Sequence, residues 1–520
     1  MLTGSKARLW VSFCGVAFAL LSSAFTPVSS DLGWVLAFGR DVVERGQWIT
    51  TNVQSFTEPA HRVFMYEWGF GTVAFALHHA FGAAGVIGLK WLLVAVAVTL
   101  MGLTTGRLCK PAVQLVLLLA AVRGLWISFE LPRAQLVTFA LLAAVVLAST
   151  YGTRGAMRWC VPLVAAGVNS HGGFLAVAGL LGALTAATWA EGRLGWTKTN
   201  VSLLDVVGVS LASLAAACLN PYGPRMLVET LTQVSDPSRF LIREWLPGWH
   251  WGELFLGEKL GYGALALSCA VSIAFLPRRQ LRYWLLLAAA AVTSASAIRH
   301  LRMAPILLLP VLAAALDAAL GKVPAQVWER VDRPVAWLAG AVGVASLGQF
   351  VWWLPVTSRF EAREGPSPAN AIAVMKLNGI KGKVWNDYDW GGALLWCVPE
   401  STVAADGRHT IAYSPRTIED NIMLGHTADD PALIVQRSGA ELVLLPPSDP
   451  ALPRLAQVYG TVYCDPGACL LSKVPEHLQR SRSGLRLPKY SMNVSDYFQD
   501  RTGPDAALSD QGQGQGQGSP

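Results

Sequence analysis

Charge is what this chain has least of. Only 14% of its 520 residues are Asp, Glu, Lys or Arg, against about 25% in a typical soluble domain. That shortage excludes an ordinary soluble globular protein of this length. Cysteine is sparse too, at eight residues, and no pair has zinc-ligand spacing. Cys14, Cys109, Cys160, Cys218 and Cys269 lie in or near apolar runs, where a thiol behaves as a small hydrophobe. No internal inverted repeat of the transporter kind is visible. The net charge of +7 does not mark a nucleic-acid partner. Its Lys and Arg residues sit in short loops between apolar stretches, the pattern that orients membrane helices.

What the chain has is hydrophobic length. Mean hydropathy is +0.40 and 53% of residues are hydrophobic. Apolar runs fall at 8–30, 84–105, 111–128, 132–150, 157–170, 173–191, 203–220, 259–277, 280–298, 301–320 and 334–355, each long enough to span a bilayer or nearly so. The run at 157–170 is short and is followed by Asn169-Ser170-His171-Gly172, as in half of a broken helix that lines a cavity. Residues 69–83 are too few to span and carry His78 and His79; they read as an interfacial helix. The expected fold is a polytopic α-helical membrane protein of about eleven transmembrane helices. Run 8–30 reads as an anchor, with a cleaved signal peptide as the alternative.

Positive charge supports that count. With the N-terminus inside, the inner loops carry Arg107/Lys110, Arg154/Arg158, Arg193/Lys198, Arg278/Arg279/Arg282 and Lys322/Arg330/Arg333, so every one is basic. An odd number of spans puts the C-terminus outside. Residues 1–355 then form the membrane domain, with 31–83 as a large first outer loop. After Pro355, helices near 370–378, 430–437 and 450–458 alternate with strands at 383–386, 402–405 and 441–445 and a closing hairpin at 461–473. That is a small extracytoplasmic α/β domain over 356–475. Residues 476–520 are polar, end in GQGQGQG repeats and are expected to be disordered.

The same topology gathers the unusual polar groups on the outer side: Asp31, Glu67, Arg133, Asn169 to His171, Glu244, Arg299, His300 and Arg302. Polar groups at one face of a membrane domain suggest an outward ligand cavity. Asp31 stands at a span–loop junction, where partial desolvation makes a carboxylate more basic and suits a general base. With Glu67 it could instead hold Mg²⁺ or Mn²⁺ beside a phosphate. By itself it also reads as a helix N-cap. In the C-terminal domain, residues 385–392 read WNDYDWGG, dense enough in polar and aromatic groups for an acceptor site, or for a closed turn.

These segments carry a resemblance. The first loop has Asp31, then Trp34-Val35-Leu36-Ala37-Phe38-Gly39-Arg40, a G-x-W turn, Ser55-Phe56-Thr57 and Glu67-Trp68. After it come Arg133-Ala134-Gln135, Asn169-Ser170-His171-Gly172-Gly173, Leu219-Asn220-Pro221-Tyr222-Gly223, Glu244-Trp245, Arg299, the WNDYDWGG stretch and Asp406-Gly407-Arg408. In this order they resemble a bacterial group of GT-C-type membrane glycosyltransferases over residues 8–473. The resemblance implies a sugar donor linked to a polyprenyl phosphate or diphosphate, transfer at the outer face, and Asp31 as base or metal ligand. WNDYDWGG is similar to the WWDYG motif of oligosaccharyltransferases, which makes Trp385, Asp387 and Tyr388 acceptor-reading residues; Asp389 interrupts the pattern. Val35 stands where such proteins often carry His, and Asn52-Val53 where they often carry Asp-Pro.

The expected function is therefore transfer of a sugar from a polyprenyl-phosphate-linked donor to an acceptor glycan, lipid or protein at the bacterial inner membrane. Arg133, His171, Glu244, Arg299, His300 and Arg302 would bind substrate, since arginine suits bidentate contact with phosphate. Membrane lipids are partners and nucleic acid is not. The competing expectation is a non-catalytic relative, or a transporter, that binds or exports polysaccharide or lipid. Cys464 and Cys469 flank the turn Asp465-Pro466-Gly467-Ala468; across a hairpin they would form either a disulfide or an ordinary strand pair.

Overall fold

The computed structural model describes residues 4–46, 48–361, 365–427, 430–501, 503–505 and 508. The chain divides into two compact units. One comprises residues 1–25, 90–228 and 242–357; the other comprises 26–89, 229–241 and 358–520.

The first unit is helical. Among the described residues, five helices are long and apolar enough to cross a membrane: Ala83–Leu108, Pro111–Glu130, Phe174–Arg193, Ile298–Leu320 and Ala325–Thr357. Gln135–Tyr151, Leu203–Ala217 and Leu281–Ser296 are apolar but shorter. A multi-pass membrane protein follows, though the structure does not confirm the count of eleven. The run at 157–170 is broken, as expected. Helix Arg154–Trp159 stops at Cys160, Val161–Val168 stops at Asn169, and the next helix starts at Phe174. Two buried carboxylates inside this unit are closed ion pairs. Glu191 is fully buried and takes the Arg282 Nε at 2.8 Å and the Arg282 backbone N–H at 2.8 Å. Arg154 and Arg158 close on Asp205 at 3.1 and 2.7 Å.

The second unit holds a five-stranded sheet of order β2-β1-β3-β5-β4. The strands are β1 Lys383–Asn386, β2 Thr402–Val403, β3 Leu442–Leu445, β4 Gly460–Cys464 and β5 Cys469–Ser472. β1 runs parallel to β2 and β3, and the hairpin β4–β5 adds antiparallel to β3. One face buries Trp385, Val435, Val443, Leu455, Tyr459 and Leu471 together. Cys464 and Cys469 are opposite each other, with Cα atoms 4.0 Å apart, and are disulfide-bonded. Asp465 shapes the turn between them by accepting the Gly467 and Ala468 N–H groups, each at 2.8 Å.

Residues 26–89 belong to this unit and continue its sheet. Val403 donates its N–H to the Gln54 carbonyl, Phe56 to Val403, and the Thr57 hydroxyl to Ala404. The Ser55-Phe56-Thr57 motif is thus the edge beyond β2. Helix Leu32–Arg45 packs on helix Trp68–Phe81. At 14 residues the latter is well short of a span.

The expectation of disorder from residue 476 is corrected for most of that stretch. Helix Pro475–Ser483 and the turn Val494–Phe498 are formed, and Tyr497 and Phe498 are buried. The Trp396 indole donates to the Tyr497 carbonyl at 3.0 Å, and the Tyr497 hydroxyl donates to Ala369 at 2.9 Å. Two aromatic side chains in a polar stretch are enough to anchor it. The GQGQGQG repeats lie outside the described residues.

Candidate functional site

The sequence-predicted site residues belong to two sets, one within each unit. In the sheet-bearing unit, Asp31 precedes helix Leu32–Arg45 but makes no side-chain cap. Its Oδ1 accepts the Trp34 indole N–H at 3.4 Å. A Cβ on Gly407 would stand 2.6 Å from that same oxygen, so the glycine of Asp406-Gly407-Arg408 leaves room for the carboxylate. Arg408 and Asp406, on either side of it, are buried and bonded in parallel: Nε to Oδ1 at 2.8 Å and Nη2 to Oδ2 at 2.6 Å. The Tyr413 hydroxyl adds a bond to Asp406 at 2.6 Å. Burial alone would lower the Arg408 pKa, yet Asp406 and Tyr413 push it up. This pair is a rigid strut beneath Asp31.

WNDYDWGG divides by role. Trp385 is 3% exposed within the sheet's core, so its assignment as an acceptor contact is corrected: on β1 it faces the hydrophobic cluster. Asn386 is a clip, its amide donating to Ala405 at 2.9 Å and its oxygen accepting from Ala404 at 3.0 Å. Gly392 lets helix Gly391–Cys397 touch helix Leu32–Arg45 backbone to backbone. A Cβ there would lie 2.7 Å from the Ser30 carbonyl, and one on Gly33 would strike the Gly392 carbonyl. Arg40, from the first-loop motif, caps that short helix by donating to the Leu395 and Trp396 carbonyls at 3.2 and 3.3 Å.

The remaining residues face chemistry. Asp387 and Asp389 line a cavity of about 280 Å³ with Ser29, Ser30, Trp390 and Asn493. Burial, and then the neighbouring Asp389, push the Asp387 carboxyl up to about 6. The Tyr388 hydroxyl is buried and has no hydrogen-bond partner among the described residues. Burial raises its pKa, and the charges of Asp406 and Asp31 raise it further. The phenol therefore keeps its proton. Glu67 precedes helix Trp68–Phe81 and makes no side-chain cap.

In the helical unit, Glu244 and Trp245 sit in the turn Arg243–Trp245. Backbone bonds from Ile298 to Leu246 (2.9 Å) and from Gly248 to Ala295 (3.0 Å) lay this turn against Arg299 and His300. Glu244 faces Arg299 at 3.4 Å and Arg133 at 4.0 Å. Burial raises its carboxyl, but Arg299, Arg133 and Arg302 outweigh that and hold it down to about 2. The Arg299 guanidinium lies 4.3 Å from the Trp245 ring centre, and the His300 ring meets Trp245 edge-on at 5.8 Å. His171 Nδ1 accepts the Gly173 N–H at 3.1 Å and lies 2.9 Å from the Thr138 hydroxyl, which places the ring proton on Nε2. Burial and the positive charges of Arg299, His300 and Arg133 drive its pKa down to about 3, so it is neutral. Arg133, His171, Glu244, Arg299, His300 and Arg302 therefore lie near one another within this unit.

The fold has known counterparts. It matches the archaeal oligosaccharyltransferase AglB from Archaeoglobus fulgidus in complex with an inhibitory peptide and a dolichol-phosphate, with TM-score 0.55, 12% identity, and 90% of this chain and 74% of that one covered. It matches ArnT from Cupriavidus metallidurans bound to undecaprenyl phosphate, with TM-score 0.50, 14% identity, and 90% and 98% covered. This is a GT-C glycosyltransferase fold. No protein-family model and no curated protein matches the sequence. Asp31 and Glu67, the residues expected to hold Mg²⁺ or Mn²⁺, each stand just before a helix of the sheet-bearing unit. Among the described residues no three His, Cys, Asp or Glu side chains group as a metal site. The Asn52 amide, at the position where similar proteins often carry Asp, is buried and donates to the Ala412 carbonyl at 2.7 Å.

The sequence missed Asp406, Arg408 and Tyr413 as a strut and Gly407 as the carboxylate's berth. The signal was present in Asp-Gly-Arg, where a small residue separates two charges. The partner that needs the space, 376 positions away, could not be read from it.

Proposed function

We propose that the protein is a membrane glycosyltransferase that moves a sugar from a polyprenyl-phosphate-linked donor to an acceptor glycan, lipid or protein. It would act at the outer face of the bacterial inner membrane, in building a cell-envelope glycan, with the C-terminal residues on that side. The observation that carries this reading is the cluster of Arg133, Arg299 and Arg302 about Glu244 in a GT-C fold. Guanidinium groups stabilise the charge that develops on a departing phosphate. Solved structures of this fold include complexes with dolichol-phosphate and undecaprenyl phosphate.

In this reading Asp31 takes the proton from the acceptor as its oxygen or nitrogen attacks the sugar's anomeric carbon. The bond from that carbon to the phosphate oxygen breaks, and the lipid phosphate departs with the bonding electrons as the leaving group. Trp34 fixes the Asp31 carboxylate, and Tyr388 and Asp387 meet the acceptor. No step is assigned to a metal. The buried structural role of Asn52 keeps a second reading in play, a GT-C-like protein that binds or exports a glycan or lipid without catalysis. Asp31→Asn in the native host separates the two. The enzyme reading expects loss of a surface glycan with the protein still present in the membrane. An unchanged glycan would favour the non-catalytic reading.

A further inference from the structure

We propose that Glu244 is a displaceable stand-in for the donor's phosphate: at rest its carboxylate occupies the anion site of Arg133, Arg299 and Arg302, and the phosphate takes its place. This rests on the reading that the cluster holds phosphate.

The geometry of the cluster is unlike that of a structural ion pair. Glu244 stands 3.4 Å from Arg299 and 4.0 Å from Arg133, beyond the ~2.7–2.9 Å of a closed charge-assisted bond. Two other pairs in the same unit show what closure looks like. Arg243, the adjacent residue, forks onto Glu258 at 2.7 and 3.1 Å. Arg282 grips Glu191 at 2.8 Å, and that glutamate is fully buried. Glu244 holds a position between its cations instead of closing on either.

Its surroundings permit it to leave. The side chain is 26% exposed and sits on a three-residue turn, not within a long helix. Arg133 and Arg299 are 23% and 18% exposed, so neither is sealed from a ligand. Glu244 is held by Arg299, Arg133 and Arg302, with Arg243 adding to them; Glu258 also bears on Arg302, and the neutral His171 adds no charge. A phosphate offers more oxygens and, once the sugar has left it, a second negative charge. It can close on two arginines at once, as the single carboxylate does not. Glu244 then turns to water, where its ionised form is well solvated. Keeping an anion in the site holds mutually repelling arginines in place without substrate, and it raises the threshold for weak anions to enter.

The test is binding of undecaprenyl phosphate to the full chain in detergent micelles, with melting curves to show that each variant is folded. Glu244→Gln removes the competing charge and keeps the shape. Its Kd is expected to fall at least about tenfold, a change of ~1.4 kcal/mol. Glu244→Asp keeps the charge and should stay within about threefold of wild type, less than ~0.7 kcal/mol. Arg299→Ala should bind much more weakly. If Arg299→Ala binds as the wild type does, the phosphate-site reading fails and the stand-in goes with it. If Arg299→Ala loses binding while Glu244→Gln gains none, or Glu244→Asp gains as much as Gln, the phosphate site stands and the stand-in is overturned.

Discussion

Gly407→Ala isolates the Asp31 carboxylate from the stability of the fold. The new Cβ would stand 2.6 Å from Asp31 Oδ1 and 3.2 Å from Trp34 Nε1, where ordinary contact begins at 3.4 Å. The obstacle is the far end of a side chain, and a shift of about 0.8 Å relieves it, at the cost of an off-rotamer χ, ~0.5–1.5 kcal/mol. The fold should survive this. Chemistry should not, since a misplacement of about 1 Å costs on the order of 10² in rate. The expected result is a melting temperature within a few degrees of wild type, with glycan formation reduced roughly 30- to 100-fold. Asp31→Asn sets the floor of the assay, which measures surface glycan in the native host per unit of membrane-inserted protein. Gly392→Ala is the contrasting control, because its Cβ meets a backbone carbonyl at 2.7 Å that cannot step aside. Wild-type glycan from Gly407→Ala would refute Asp31 as a positioned base. A melting loss as large as that of Gly392→Ala would refute the distinction between soft and hard obstacles.

Three further outcomes follow from the sheet-bearing unit. Asp406→Ala leaves the buried Arg408 without its counter-charge and should destabilise by about 3–5 kcal/mol, read from unfolding of the detergent-solubilised chain. Asp387, raised to about 6, binds its proton more tightly when folded than when unfolded. Its contribution to stability is therefore present at low pH and lost as pH rises through about 6, and Asp387→Asn should flatten that decline in melting temperature. Reducing the Cys464–Cys469 bond should cost about 2 kcal/mol, the low end expected for so short a loop; free thiol labelling of the unreduced protein would contradict the bond.

Much of this was legible locally. β1 spans the predicted 383–386, and the hairpin and the helices expected near 370–378, 430–437 and 450–458 lie within a few residues of expectation, because alternation and turn residues are short-range signals; the helices Gly391–Cys397 and Pro415–Ile422 were not foreseen. Helix lengths were less legible. Residues 259–277 read as one apolar run, yet the helix there, Leu256–Phe275, opens with Glu258 and Lys259, and hydropathy does not mark where a helix begins. Least legible were contacts made across the chain. Nothing near residue 33 says that its neighbour is the carbonyl of 392. Trp385 looked like a binding residue because an indole in a polar motif draws the eye, while its strand position sends it inward.

The sheet-bearing unit is discontinuous, and that shapes how the protein must be made. Residues 26–89 emerge from the ribosome some 270 positions before the 358–501 stretch that completes them. At about 5–20 residues per second, helix Leu32–Arg45 waits roughly 17–70 s for the Gly391–Cys397 helix that packs on it. During that interval Trp34, buried in the finished protein, lacks its later neighbour Gly392, although helix Trp68–Phe81 is already made and packs on the same helix. Biogenesis is thus exposed to any holdase or protease on the side where this segment waits. A truncation that spares every spanning helix but removes residues 494–498 would strand His78, whose Nε2 lies 2.9 Å from the Phe498 carbonyl, and leave the earliest-made half of the unit as the part to be degraded.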